Sequence, residues 1–190
     1  MQRKIVTKRK TNKVYSIYMN LLHDIDPGTQ EEMNVIIEIP KGSHNKYEID
    51  KKTGVIKLDR VMHSAQDYPF DYGFVPQTLW DDGDALDVVV LTTYPLAPGI
   101  LVEVRPIGIM HMVDGGEADE KIIAVASGDP RYTEVKDIAD ANQHVLKEIA
   151  HFFATYKQIQ KKEVQVGEFK GHAAALAAFE RARKMYTDKK

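Results

Sequence analysis

The sequence predicts an α+β fold in which helices pack on an antiparallel sheet or on a closed barrel. Segments rich in β-forming residues fill the earlier part of the chain, and helical periodicity appears only toward its C-terminal end. This order of elements is typical of α+β proteins. With 190 residues, of which 43% are hydrophobic, the chain is long enough for one domain with a complete core.

The predicted strands are runs of β-branched and aromatic residues bounded by turn residues. The clearest pair is a hairpin over residues 46–50 and 55–60, joined by Lys51-Lys52-Thr53-Gly54, with Gly where a left-handed backbone is needed. The other predicted strands are 35–39, 86–91, 100–112 and 121–126, followed by a short one at 164–166.

Two amphipathic helices are predicted near the C-terminal end. Asp140 and Gln143 have the spacing of a capping box, which predicts the start of the first helix. The apolar face of this helix consists of Val145, Ile149, Phe152, Tyr156 and Ile159. The helix is predicted to end near Lys161. The second helix is marked by Leu176, Phe179, Ala182 and Tyr186.

Composition excludes several classes of protein. The absence of cysteine removes disulfides, thiolate nucleophiles and cysteine-bound zinc, and fits a reducing compartment. The net charge is −2, so no overall positive field would bind nucleic acid. No apolar run approaches the roughly 20 residues needed to span a bilayer, so we expect no membrane partner. The motifs G-x-x-x-x-G-K-[ST], G-x-S-x-G and H-E-x-x-H are also absent.

The N-terminal end differs from the rest of the chain. Residues 1–13 contain six basic and no acidic residues, which leaves a net charge of −8 on the remainder. We interpret residues 1–31 as a basic arm and 32–190 as the folded domain. The arm is either a solvated terminus, a nucleic-acid tether or a targeting segment.

Two acidic loops carry the strongest chemical signal. Asp81-Asp82-Gly83-Asp84-Ala85-Leu86-Asp87 places four carboxylates within seven residues just before a predicted strand, and a second acidic stretch, 114–120, precedes another. Carboxylates this close repel one another unless cations lie between them, and clustered carboxylate oxygens suit Mg²⁺ or Ca²⁺. The alternative for either loop alone is a solvated acidic turn.

Cationic and phenolic residues lie near these loops in sequence. Lys46 and Glu48 project from the same face of a strand, and Arg60 ends the next one. Such groups bind an anionic substrate or else line the solvated face of a sheet. Phenol hydroxyls donate to phosphate oxygens without adding charge, although Tyr and Phe within 68–74 are also typical of a core.

From about residue 35 to about residue 186, the chain resembles the soluble family I inorganic pyrophosphatases. The family's acidic signature D-x-D-P-x-D reads here as Asp82-Gly83-Asp84-Ala85-Leu86-Asp87. Other matching segments are Ile37-Glu38-Ile39-Pro40, Asn45-Lys46-Tyr47-Glu48, Leu58-Asp59-Arg60, Tyr68-Pro69-x-x-Tyr72-Gly73, Arg105-Pro106-Ile107-Gly108 and His151-Phe152-Phe153-x-x-Tyr156-Lys157. The chain departs from the family at Ala85, where Pro is usual, and at Gly115, where Glu is frequent.

The resemblance implies a five-stranded OB-like β-barrel with flanking C-terminal helices, and Mg²⁺-dependent hydrolysis of pyrophosphate to two orthophosphates. It implies in-line attack of a metal-activated water without a covalent intermediate, in the cytoplasm, by a homohexamer of the prokaryotic type. Asp84 resembles the general base. The residues that resemble metal ligands are Asp82, Asp87, Asp119, Asp114 and Glu48. The residues that resemble the substrate-binding set are Lys46, Arg60, Tyr72, Lys121, Tyr156 and Lys157, supported by Glu38 and Tyr68.

Two other classes compete with this interpretation. An OB-type module that grips single-stranded nucleic acid needs a basic groove, which the acidic body does not predict, so we expect no nucleic-acid partner. A structural Ca²⁺-binding domain does not need Lys46, Arg60, Tyr156 and Lys157.

Overall fold

The computed structural model describes residues 19–189, so the basic run at the N-terminal end lies outside the described residues. Within this range the chain forms nine strands and two α-helices. They are β1 (Met33–Ile39), β2 (Asn45–Ile49), β3 (Ile56–Val61), β4 (Asp71–Phe74), β5 (Asp87–Leu91), β6 (Leu101–Asp114), β7 (Glu117–Ala118), β8 (Lys121–Ala126), α1 (Gln143–Thr155), β9 (Val164–Gly171) and α2 (His172–Lys189).

Five of the strands form a closed, barrel-like ring. β1 pairs with both β4 and β6, while β5 and β8 complete the circuit in the order β1-β4-β5-β8-β6. β7 and β9 add to β6, and β2 and β3 form a separate hairpin. The α+β class with a five-stranded, barrel-like sheet and C-terminal helices is therefore confirmed. The β5–β8 pair is parallel, which the expectation of an antiparallel sheet missed.

The ring strands are apolar because both of their faces are covered. Successive side chains of a strand point to opposite faces. Val88 and Val90 of β5 accordingly join an apolar cluster with α2, whereas Val89 and Leu91 join a second cluster with α1. The two helices thus cover different parts of the ring.

The first helix differs from its predicted bounds at both ends. It begins at Gln143, and Asn142 caps it by accepting a hydrogen bond from the backbone of His144. The prediction that Asp140 begins the helix was wrong, because Asp140 forms a capping box with Asp137 in a preceding 3-10 turn. The helix ends at Thr155 rather than near Lys161, because the backbone of Lys157 leaves the helical region and a separate 3-10 turn follows, which ends at the left-handed Lys161.

Other segments also differ from the prediction. β4 was not predicted as a strand, since its four residues are too short a run to show alternation. β9 continues to Gly171, five residues beyond its predicted end. In the part of the chain that the structure describes, no helix is both long and apolar enough to cross a membrane.

Residues 19–31 contact the ring ahead of β1. Leu22 is buried and packs with Ile36 of β1 and Phe74 of β4. Its carbonyl accepts a hydrogen bond from the backbone of Gln77 at 2.9 Å. The division between an arm ending at residue 31 and a domain starting at residue 32 stays a prediction.

Candidate active site

The two acidic loops converge because the strands that follow them are parallel neighbours. Asp87 is the first residue of β5 and Lys121 the first of β8, and the two are partners in the β5–β8 register. The loops before them therefore emerge at the same edge of the ring. Two glycines with positive φ, Gly115 and Gly116, form the turn between β6 and β7. This turn places Asp114 at the same end of the sheet.

Two neighbouring cavities collect almost all of the predicted site residues. One, of about 180 Å³, is lined by carboxylates, lysines and tyrosines: Asp82, Asp84, Asp87, Asp114, Asp119, Lys46, Lys121, Lys157, Tyr68, Tyr72 and Tyr156, together with Phe153. The other, of about 110 Å³, shares Lys46, Tyr72, Asp84 and Asp87 and adds Glu38 and Glu48.

Arg60 is the predicted site residue that lines neither cavity. It lies opposite Lys46 in the β2–β3 register. Its Nη1 is 2.5 Å from Asp59 Oδ2, and Asp59 in turn lies 3.8 Å from Lys46 Nζ. The Nε of Arg60 is buried without a hydrogen-bond partner among the described residues. Arg60 is thus held beside the site with one donor unused.

Lys121 is a buried cation that lines the larger cavity. Only 2% of the residue is exposed, and its Nζ donates to Asp87 Oδ2 at 2.6 Å and to Asp119. Burial alone would lower the pKa of Lys121, but the two carboxylates outweigh burial and raise it. Lys121 is therefore charged.

Tyr72 adds a neutral donor to the same carboxylate. Its hydroxyl donates to Asp87 Oδ2 at 2.6 Å. Burial raises the pKa of Tyr72, and the negative charge of Asp87 raises it further. Burial and the nearby Asp114 likewise raise the pKa of Tyr156, whose hydroxyl lies 3.3 Å from Asp114 Oδ2. Both phenols therefore stay protonated and can donate hydrogen bonds.

Several carboxyl groups carry raised pKa values, because burial and, to a lesser extent, neighbouring carboxylates disfavour their charged forms. Burial is the main cause for Asp119, whose pKa rises to about 7 despite the opposing effect of Lys121. Burial also raises the pKa of Asp82. The pKa of Glu38 rises to about 8 through burial and the charge of Asp87. A bound cation would relieve this repulsion.

In this structure, lysines pair with most of the predicted acidic site residues. Beyond Lys121, Lys157 pairs with Asp114, Lys46 pairs with Glu48, and Lys51 pairs with Asp84. Among residues 19–189, no three His, Asp or Glu side chains are arranged to hold a metal ion. The carboxylate oxygens nevertheless supply the donor type that Mg²⁺ prefers.

Sequence reasoning assigned no role in the site to Lys51 and Phe153, although both residues line these cavities. Lys51 was interpreted only as part of the hairpin turn, yet its Nζ reaches Asp84 and lies 3.4 Å from the Gly83 carbonyl oxygen. Phe153 lies in a buried aromatic cluster, 6.2 Å from the ring of Tyr72. The adjacent Lys51-Lys52 pair in a short turn was the available signal for a cation near the acidic loop.

Comparisons with known proteins agree with the geometry. The profile of the family described as inorganic pyrophosphatase matches residues 35–187. The chain is 50% identical over 154 residues to an inorganic pyrophosphatase from Synechocystis sp., covering 81% of this chain and 91% of that protein. It is 45% identical over 168 residues to soluble inorganic pyrophosphatase 1 of Arabidopsis thaliana, covering 87% and 79%. The crystal structure of the inorganic pyrophosphatase from Thermus thermophilus is similar, with a TM-score of 0.85 and 44% identity over 89% of this chain and 99% of that one.

Proposed function

The chain belongs to the inorganic pyrophosphatases, hydrolases of the phosphoanhydride bond of pyrophosphate, and from this premise we propose that it converts pyrophosphate to two orthophosphates with Mg²⁺ as its metal. We propose in-line attack of a water without a covalent intermediate. The convergence of two acidic loops and four lysines beside one pair of cavities supports this proposal.

The donor set of the cavities fits Mg²⁺. Carboxylate oxygens are the ligands that this hard cation prefers, and burial together with neighbouring carboxylates raises the pKa values of Asp82 and Asp119, so a bound cation would stabilise their charged forms. When bound, Mg²⁺ would supply a compact double positive charge that polarises oxygen atoms. We propose that the residues holding it are Asp82, Asp87, Asp119, Asp114 and Glu48.

Asp84 is proposed as the general base. Its carboxylate borders both cavities, next to Asp82 and Asp87 in the same loop. In the hydrolytic step the water oxygen forms a bond to phosphorus, the bridging P–O bond breaks, and Asp84 takes the proton of the water. The departing phosphate keeps the electrons of the broken bond, so no covalent enzyme adduct forms.

The lysines and tyrosines are proposed to hold the substrate. Pyrophosphate is a compact polyanion, so its oxygens compete with carboxylates for the same donors. Lys46 and Lys157 can exchange their present carboxylate partners for phosphate oxygens. Tyr72 and Tyr156 stay protonated and can donate hydrogen bonds without adding charge. Lys121 and Arg60 complete the proposed substrate-binding set.

Glu38 and Tyr68 are proposed to support this set by holding in place the strands and the helix that carry it. Glu38 Oε1 accepts a hydrogen bond from the backbone of Ile49 at 2.6 Å, which ties the end of β2 to β1. Tyr68 is buried with its ring 4.7 Å from that of Phe152 on α1. Both residues therefore fix the strands and the helix that carry the groups contacting substrate.

Phosphate release from pyrophosphate tests the proposal directly. With Mg²⁺ we expect rapid release of two phosphates per pyrophosphate, and with EDTA we expect release to stop. The matched control is Asp84→Asn, which keeps the side-chain volume and removes the base. Binding of Mg²⁺ without phosphate release would contradict the proposal and favour a structural cation-binding domain.

The oligomeric state and the cellular compartment are also proposals. The resemblance to prokaryotic family I enzymes supports a homohexamer in the cytoplasm, and the absence of cysteine fits that compartment. Sedimentation equilibrium of the 21.5 kDa chain tests the assembly, since a hexamer has six times this mass. A species of monomer mass would contradict it.

A further inference from the structure

A hydrogen bond outside the cavities joins the two acidic loops. The indole Nε1 of Trp80 donates to Glu120 Oε2 at 2.7 Å, although the two residues lie 40 positions apart. Trp80 immediately precedes the loop that carries Asp82, and Glu120 lies between Asp119 and Lys121. Neither residue lines the two cavities described above. The contact therefore connects the two loops that carry the proposed metal ligands, and it lies outside the cavities that these ligands line.

Trp80 also fixes the shape of its own loop. Its backbone N–H donates to the Asp84 carbonyl oxygen at 2.7 Å, and its carbonyl oxygen accepts from the N–H of Gly83 at 3.0 Å. The residue is 5% exposed. The guanidinium of Arg181 on α2 lies 4.5 Å from the indole ring and pairs with Asp81 at 2.6 Å. These contacts therefore tie the indole to the loop and to α2.

Glu120, the acceptor of this hydrogen bond, also contacts β6. Its second oxygen lies 3.3 Å from Nδ1 of His111 on β6, and its side chain is 16% exposed. The next residue, Lys121, pairs with Met110 in the β6–β8 register. The carboxylate of Glu120 is thus anchored to β6 and accepts from Trp80 at the same time. A hydrogen bond to a carboxylate of low exposure is among the stronger kinds in proteins.

We propose that the Trp80–Glu120 hydrogen bond sets the spacing between the two acidic loops and thereby the affinity of the site for Mg²⁺. This rests on the proposed function, because it takes Asp82 and Asp87 of one loop and Asp119 of the other as ligands. Mg²⁺ demands near-octahedral geometry at about 2.0–2.1 Å. Ligands from two separate loops meet that demand only when supporting contacts hold the loops in register. Trp80 and Glu120 are therefore positioning residues.

The first test is the affinity of the protein for Mg²⁺, measured by isothermal titration calorimetry without substrate. Trp80→Phe keeps a buried ring beside Arg181 and removes the N–H donor. We expect its dissociation constant for Mg²⁺ to rise about tenfold, because removing a residue that orients metal ligands typically weakens metal binding by at least this factor. Glu120→Leu should behave in the same way, whereas Glu120→Gln keeps an oxygen acceptor and should restore an affinity close to wild type. The double variant Trp80→Phe/Glu120→Leu should be no weaker than either single variant.

The second readout is fluorescence, since Trp80 is the only tryptophan of the chain. We expect Mg²⁺ to change its emission with the midpoint found by calorimetry, and Glu120→Leu to move that midpoint to about tenfold higher Mg²⁺. Tyr94→Phe, a change at a residue that is 70% exposed, is the control and should leave the midpoint unchanged.

The outcomes separate this inference from the proposed function. A weaker Mg²⁺ affinity in Trp80→Phe supports the inference whether or not pyrophosphate is hydrolysed. Unchanged affinity in Trp80→Phe and Glu120→Leu, with normal hydrolysis by the wild type, would overturn the inference and leave the function standing. If Trp80→Phe fails to fold, the comparison of Glu120→Leu with Glu120→Gln decides. Failure of the wild type to bind Mg²⁺ would overturn both.

Discussion

Lys121 Nζ lies 2.6 Å from Asp87 Oδ2, and the two residues are register partners at the first positions of the parallel strands β8 and β5. A parallel pair is what brings the two acidic loops to one edge, because parallel strands begin on the same side of a sheet. Lys121 also contacts Asp119, so one buried ammonium neutralises carboxylates from both loops.

Removing this ammonium should destabilise the protein when no metal is present. Lys121→Met keeps the length of the side chain but leaves Asp87 and Asp119 without their buried counterion, a loss that costs about 3–5 kcal/mol. Urea unfolding in EDTA measures the effect, with Lys170→Met, at an exposed ion pair of β9, as the control. Equal stability of Lys121→Met and wild type would contradict the assignment of Lys121 as the main counterion.

Asp84→Asn should abolish most turnover and preserve the fold. The amide cannot take a proton from water, and general-base catalysis is typically worth about 10²–10⁴ in rate. Steady-state phosphate release measures kcat, and calorimetry measures Mg²⁺ binding, which should persist. Asp188→Asn, at an exposed position of α2, is the control of the same chemical type. A near wild-type kcat would remove Asp84 from the role of base.

Arg60→Lys should lower kcat/KM for pyrophosphate. Arg60 keeps a buried Nε without a partner among the described residues, and a planar guanidinium can contact two phosphate oxygens where an ammonium contacts one. We expect a loss of about tenfold or more, since a hydrogen bond to a charged group is worth about 1.5–3 kcal/mol. Unchanged kinetics would mean that Arg60 serves only its pair with Asp59.

The sequence predicted where the strands and loops lie along the chain better than which of these segments are neighbours in the fold. The β2–β3 hairpin and the acidic loop before β5 follow from local patterns, since turn glycines and clustered carboxylates are visible in a short window. The parallel pairing of β5 with β8 and the Trp80–Glu120 contact link distant segments, and nothing local encodes which segment is the neighbour. The helix start was misplaced for a local reason, because both Asp140 and Asn142 have side chains suited to a cap.

Asp71→Ala should be strongly destabilising, although sequence reasoning gave Asp71 no role. The residue is fully buried, and its carboxylate accepts from the backbone N–H groups of Lys41 at 2.9 Å and Leu96 at 3.0 Å and from the hydroxyl of Thr92. Each donor left unsatisfied costs about 1–3 kcal/mol, so we expect a total loss of about 3 kcal/mol or more. Asp71→Asn keeps one acceptor oxygen and should lose less in urea unfolding. Wild-type stability of Asp71→Ala would show that water replaces the carboxylate at little cost.

Glu38→Gln should remove part of the pH dependence of stability. The pKa of Glu38 rises from its ordinary value of 4.5 to about 8, mainly through burial and then through the charge of Asp87. The folded protein therefore keeps this proton up to about pH 8, whereas the unfolded chain releases it near 4.5. The free energy of unfolding consequently falls as the pH rises through this window.

Asp119 contributes in the same direction up to about pH 7, so only the difference between the Glu38→Gln variant and the wild type isolates Glu38. Gln can still accept the hydrogen bond from Ile49 and carries no charge. We expect Glu38→Gln to gain stability relative to wild type between about pH 5 and about pH 9 in EDTA. A stability difference that stays constant across that range would show that Glu38 titrates at the same pH in both states.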